Sequence, residues 1–100
     1  MTYITLVCTN GLSTSMLVQR MQKVAKEKNL EVDIVAISES AFRNENRPTQ
    51  ILLLGPQISY MLPTLKSYAE PKGIKVALID MMDYGMMDGA AVLNKALAML

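Results

Sequence analysis

Histidine and tryptophan are absent from this chain, and cysteine and phenylalanine occur once each. Without histidine there is no Cys-His nucleophile pair and none of the usual zinc ligand sets, and a single cysteine makes neither an internal disulfide nor a Cys-X-X-Cys redox pair. No metal and no cofactor are expected. Charge of one sign is also lacking: ten Lys and Arg against nine Asp and Glu leave a net +1. The basic residues are dispersed, so a nucleic-acid surface is not expected, nor attraction to an acidic partner or a membrane surface. No apolar run approaches the ~20 residues that span a bilayer, and Met1-Thr2-Tyr3 lacks the basic start of a signal peptide. A cytoplasmic protein without direct membrane insertion is the expectation. Gly11 stands without the spaced glycines of a dinucleotide fold or the Gly-Lys-Ser/Thr of a nucleotide loop, which leaves nucleotide binding with little support.

What is present centres on Val7-Cys8-Thr9-Asn10-Gly11-Leu12-Ser13-Thr14-Ser15. Before it, Tyr3-Ile4-Thr5-Leu6-Val7 is β-branched, aromatic or aliphatic, as suits a buried strand with Cys8 at its carboxyl end. After it, Leu17, Met21 and Val24 recur at helical spacing, with Val18 and Ala25 widening the stripe, so a helix is expected to start near Ser13 or Thr14. Its first turn carries no Asp or Glu, although acids are usually enriched where N–H groups are unpaired and the helix dipole is positive. A helix start without its own anion, preceded by glycine and short side chains, is suited to an external anion such as phosphate. A cysteine placed there is expected to favour the thiolate and act as a nucleophile. A lone cysteine at a strand end is otherwise simply a small buried residue; the loop that follows is what favours chemistry.

One hundred residues, 51% of them hydrophobic, are enough for one compact domain with a core and too few for two, so residues 1–100 are expected to form a single domain. Lys26, Lys28 and Asn29 end the first helix. Glu31-Val32-Asp33-Ile34-Val35-Ala36-Ile37 predicts an edge strand, and Ser38 is placed to cap a short helix that Arg43 to Pro48 breaks. Ile51-Leu52-Leu53-Leu54, closed by Gly55-Pro56, predicts a strand covered on both faces. Ile58, Met61, Leu62, Leu65, Tyr68 and Ala69 keep helical spacing through Pro63, which implies a kink or a late start there, and Pro71 and Gly73 close the helix. Tyr60 and Tyr68 are expected to pack that helix. Lys75 to Asp80 predicts the last strand, a loop is expected from Asp80 to Asp88, and Asp88-Gly89 opens a helix with the stripe Val92, Leu93, Ala96, Leu97 and Leu100. Strands alternating with helices imply a parallel sheet with helices on both faces and ligands bound beyond the carboxyl ends of strands. With strand two on one side of strand one and strand three on the other, Cys8 lies at the switch in strand order.

Cys8, Gly11 and Ser13-Thr14-Ser15, followed by Leu53-Leu54-Gly55-Pro56-Gln57-Ile58 and by Tyr84-Gly85 before Asp88-Gly89, resemble the IIB phosphocarriers of the lactose, cellobiose and chitobiose branch of the bacterial sugar phosphotransferase system. The resemblance covers nearly the whole chain. It implies a four-stranded flavodoxin-like parallel α/β sheet in the order 2-1-3-4. It also implies that Cys8 takes phosphoryl from a phosphohistidine on a IIA protein and gives it to a sugar entering through a membrane IIC partner. The residues agree independently: backbone N–H groups from Asn10 to Ser15, within the stretch Thr9, Asn10, Gly11, Leu12, Ser13, Thr14 and Ser15, and the hydroxyls of Ser13 and Thr14, are placed to surround a cysteinyl phosphate.

Two other readings compete. Low-molecular-weight tyrosine phosphatases resemble this chain in setting a cysteine and a phosphate loop after strand one, but that loop needs an arginine six residues past the cysteine, where Thr14 stands. Asp80, Asp83 or Asp88 would have to serve as the leaving-group acid. A noncatalytic interaction module would rest on Met81, Met82, Met86 and Met87 around Tyr84, four of the chain's methionines, although methionine more often fills a core. A partner-binding rim of Leu12, Pro56, Gln57, Tyr84, Met86 and Met87 around Cys8 fits the carrier reading equally, since transfer between proteins asks for a nucleophile outside any deep pocket.

Overall fold

Alternating side chains on short apolar strands divide the core in two, and the sheet is the partition. The structure, a computed structural model, describes residues 1–8, 12–44 and 47–100, and at Leu12 and Ser13 the backbone alone. Four strands, β1 (Thr2–Cys8), β2 (Val32–Ser38), β3 (Ile51–Leu54) and β4 (Lys75–Leu78), pair in parallel in the order β2-β1-β3-β4. The register sets Cys8 beside Ser38 on one side of β1, and Val7 beside Leu54 on the other.

Ile4, Leu6, Ile34, Ile51 and Leu53 point to one face, where α1 (Leu12–Glu27) and α5 (Gly89–Leu97) cover them with Leu17, Met21, Val92, Leu93 and Ala96. Val7, Leu52, Leu54 and Val76 point to the other, under Phe42 of α2 (Glu39–Asn44) and Leu65 and Ala69 of α3 (Leu62–Ala69). Each such buried aliphatic side chain contributes about 1.5–3 kcal/mol, and a strand buried on both faces has to be apolar throughout, as Ile51 to Leu54 is. Phe42 and Tyr68 meet edge to face at 5.9 Å, and the Tyr68 hydroxyl donates to the Arg43 carbonyl, which ties α2 to α3.

The helix ends follow local chemistry. Asn29, at φ 55, is the left-handed residue that stops α1. Ala41 N–H donates to Ser38 Oγ, the cap foreseen for α2. Pro63 marks a late start: Pro56–Met61 forms a 3-10 segment, and α3 begins at Leu62 with the proline in its first turn, where its missing N–H costs nothing. A second 3-10 turn, Glu70–Lys72, ends on Gly73 at φ 81.

Several expectations are corrected. The segment Asp80 to Asp88 is not a loop throughout: Asp80 accepts from Met82 N–H and Asp83 N–H and thereby caps a one-turn helix, α4 (Met81–Gly85). The last strand accordingly stops at Leu78 instead of Asp80. Tyr60 does not pack α3: it lies in the 3-10 segment, whose different turn carries it out to 72% exposure. Leu100 is exposed because α5 has already ended.

Gly89 shows how closely α5 approaches α1. A Cβ there would stand 2.6 Å from the Arg20 carbonyl carbon and 2.7 Å from the Met21 nitrogen, both backbone atoms that cannot turn aside. Gly89→Ala is therefore expected to destabilise the protein by about 1–3 kcal/mol through overpacking. Urea unfolding of the two proteins measures this as a lower midpoint at similar slope.

Candidate functional site at the carboxyl ends of the strands

The site begins where β1 runs out. Cys8 is its last residue, on the same parity as Ile4 and Leu6, and α1 starts four residues later without an acidic side chain in its first turn. The amides of that turn have no partner within the helix and present a positive end. Beside β1, Gly55 N–H donates to the Val7 carbonyl and extends the ladder one step past β3. A Cβ on Gly55 would sit 3.6 Å from the Cys8 Cβ and 2.9 Å from Gln57 Oε1, so the bare glycine leaves room for the Gln57 side chain next to the cysteine.

A third segment closes the site from above. Gln57 Nε2 donates to the Tyr84 hydroxyl at 3.1 Å, and the same hydroxyl lies 3.4 Å from Thr14 Oγ1 in the first turn of α1. Tyr84 is half-buried, its ring packed against the cluster that α1 and α5 share. The helix that carries it is fixed at both ends. Asp80 caps it, and Met87, left-handed at φ 53, turns the chain toward Asp88, which accepts from Ala91 N–H and caps α5. Lys95 reaches back from α5 to Asp83 at 2.6 Å.

The sequence-assigned residues come together unevenly. Cys8, Thr14, Gln57 and Tyr84 lie together, linked through the Tyr84 hydroxyl and the Gly55 backbone. Ser15 is exposed one residue beyond Thr14, and Pro56 is half-buried at the start of its 3-10 segment. Thr9, Asn10 and Gly11 lie outside the described residues, as do the side chains of Leu12 and Ser13. Cys8 is only 2% exposed, which differs from the open position expected of a nucleophile that meets another protein. Met86 is exposed, but Met87 is half-buried against the core, so the two methionines do not form one rim. Thr14 is fully buried with its hydroxyl toward Tyr84. Sequence reading missed this contact, because a tyrosine beside a glycine signals a turn and not the partner of its hydroxyl. Among the described residues no group of three or more acidic, histidine or cysteine side chains is placed to hold a metal ion.

This chain, with a cysteine at a strand's carboxyl end before a helix whose first turn holds no acid, has known relatives. Residues 3–95 match the family described as PTS system, Lactose/Cellobiose specific IIB subunit. The chain belongs to this family. It is 36% identical to the PTS system oligo-beta-mannoside-specific EIIB component of Bacillus subtilis, a match that covers 97% of this chain and 94% of that one. It is 41% identical to the galactose-specific EIIB component of Lactococcus lactis, across 93% and 91% of the two chains. Among solved structures it resembles the cellobiose-specific phosphotransferase IIB component of Borrelia burgdorferi at TM-score 0.79 and 41% identity, over 97% of this chain and 89% of that one. As a IIB component for cellobiose- and lactose-type sugars it is a phosphotransferase subunit, and IIB components work with IIA and IIC partners. No helix among the described residues is long and apolar enough to cross a membrane.

The pair that fastens α4 to α5 carries a pH signature. The hydrogen bond to Asp83 raises the Lys95 pKa above its usual value, and the charges of Asp83, Asp80 and Asp88 add to the effect. A raised lysine contributes stability that is fully present below its unfolded value of ~10.4 and is lost as pH rises through the folded value. Lys95→Met is thus expected to be less stable than the natural chain at neutral pH, by a small margin because the ammonium is exposed. The urea midpoints of the two proteins should converge once the pH exceeds the folded-state value.

Proposed function

We propose that Cys8 carries the phosphoryl group between a phosphohistidine on a IIA protein and a sugar of the cellobiose, chitobiose or lactose class entering through a membrane IIC component. The Cys8 thiolate attacks phosphorus, the S–P bond forms as the N–P bond breaks, and the donor imidazole leaves. A sugar hydroxyl then attacks, the O–P bond forms as the S–P bond breaks, the hydroxyl proton passes to water, and the thiolate is restored. These 100 residues hold no histidine, so the donor histidine lies outside them. The single observation that carries this reading is the position of Cys8 at the strand-order switch, between Gly55 and an α1 start free of acids. On this reading the backbone N–H groups from Asn10 to Ser15 stabilise charge on the transferring oxygens without a metal. Since Cys8 is buried in the protein alone, its sulfur has to gain exposure in the encounter with the donor, to which Pro56, Gln57, Tyr84 and Met86 offer the nearby surface, while Met87 packs inward.

Hydrolysis to free phosphate has less support. Thr14 occupies the place where the phosphatase loop needs its arginine, and the three candidate acids have structural employment: Asp80 caps α4, Asp88 caps α5 and Asp83 pairs with Lys95. Cys8→Ser is expected to fold as the natural chain does and to accept no phosphoryl from phosphorylated IIA, and aryl phosphate turnover by the natural chain should be negligible. Radiolabel transfer and mass measurement of the intact protein check the first, and a chromogenic phosphate ester the second. Undiminished labelling of Cys8→Ser would remove the cysteine from the mechanism, and fast ester turnover that depends on Cys8 would put the phosphatase reading first.

A further inference from the structure

Three segments distant in the chain meet at one phenol. Thr14 belongs to the first turn of α1, Gln57 to the turn after β3, and Tyr84 to α4, and no backbone pairing joins these turns to one another among the bonds described. Of the three side chains, Tyr84 has the fixed position. Its ring lies half-buried against the core, and its helix is held by the Asp80 cap, the Asp83–Lys95 pair and the left-handed turn at Met87. Gln57 is exposed and its amide has water as an alternative partner, so the orientation of its side chain over Gly55 and beside Cys8 depends on the hydroxyl it meets. Thr14 is fully buried, where a hydroxyl left without a partner is costly.

We infer that Tyr84 is a positioning residue for phosphoryl transfer: its hydroxyl, held between Gln57 and Thr14, fixes the first turn of α1 and the Gly55–Gln57 turn around Cys8. This inference rests on the phosphocysteine reading above. An oriented set of N–H donors stabilises a transferring phosphoryl group only while it is held still, because donors that have to reorganise lose part of their effect. The phenol ties one end of that set, the α1 start, to the Gly55–Gln57 turn beside the cysteine. The role differs from docking: a docking tyrosine acts on the concentration of partner needed, whereas a positioning hydroxyl acts on the rate once the partner is bound.

Tyr84→Phe keeps the packed ring and removes only the hydroxyl. With phosphorylated IIA of the lactose/cellobiose branch as donor, its transfer rate at saturation should fall about three- to ten-fold, the worth of a hydrogen bond of ordinary strength. The half-saturating donor concentration should stay unchanged. Thr14→Val should fall similarly, Thr14→Ser should lose less than Thr14→Val, and Tyr84→Phe combined with Thr14→Val should fall no further than the slower single variant. Tyr68→Phe, which loses a phenol on the opposite face of the sheet, should transfer at the natural rate. A natural rate in Tyr84→Phe, or a raised half-saturating concentration at unchanged maximal rate, overturns the positioning role while Cys8→Ser remains inert. Labelling that survives in Cys8→Ser overturns the phosphocysteine reading itself and this inference with it.

Discussion

Parallel strand pairing is the constraint on which the rest depends. Every strand of the sheet ends at the same edge, so each connection leaves from there and returns over a face, and the turns after β1, β3 and β4 are necessarily neighbours. With β2 and β3 on opposite sides of β1, Cys8 stands at the switch in strand order. Register makes the neighbourhood specific: pairing of Val7 with Leu54 sets Gly55 against Cys8, and a one-residue slip would exchange the two faces of β1 and move Leu6 and Cys8 away from α1.

The remaining elements stabilise what that edge exposes. α1 contributes a positive end with no acid of its own, while α5 packs against α1 so closely that Gly89 has to lack a side chain. α4 is too short to be stable by itself. Its stability comes from the Asp80 cap, the Lys95 contact and the half-buried ring of Tyr84. It leaves Met81, Met82 and Met86 exposed beside a site whose cysteine is buried. A cysteine that is covered in the isolated protein, with adaptable apolar side chains nearby, suits a group that reacts only when another protein is seated.

Much of this was legible in the residues. Strands β1 and β3 announced themselves as apolar runs, and the stripes of α1 and α5 as helical spacing. Helix ends at Asn29, Ser38, Gly73 and Asp88 followed from turn and cap chemistry. Their common basis is local: strand content and capping depend on neighbours within a few positions. What escaped was set by distant contacts. Asp80 reads equally as a strand end or a cap until β4 is known to stop at Leu78. Tyr60 keeps an α-helical place in the sequence but lies in a 3-10 turn, where the same spacing points elsewhere. Met87 and Met86 are alike in sequence, and only the left-handed turn at Met87 separates a core contact from an exposed side chain. The link from Tyr84 to Thr14 spans 70 residues and has no local signal at all.

The most direct test of the account is a phosphorus and amide magnetic resonance comparison of the full chain before and after phosphorylation by a IIA donor. The account predicts one phosphorus signal of a sulfur-linked phosphoryl group and amide shifts confined to the carboxyl edge of the sheet, at Cys8, the start of α1, Gly55 to Gln57 and Tyr84. A nitrogen- or oxygen-linked phosphoryl group, or shifts centred on the opposite edge near Gln50 and Lys75, would contradict it.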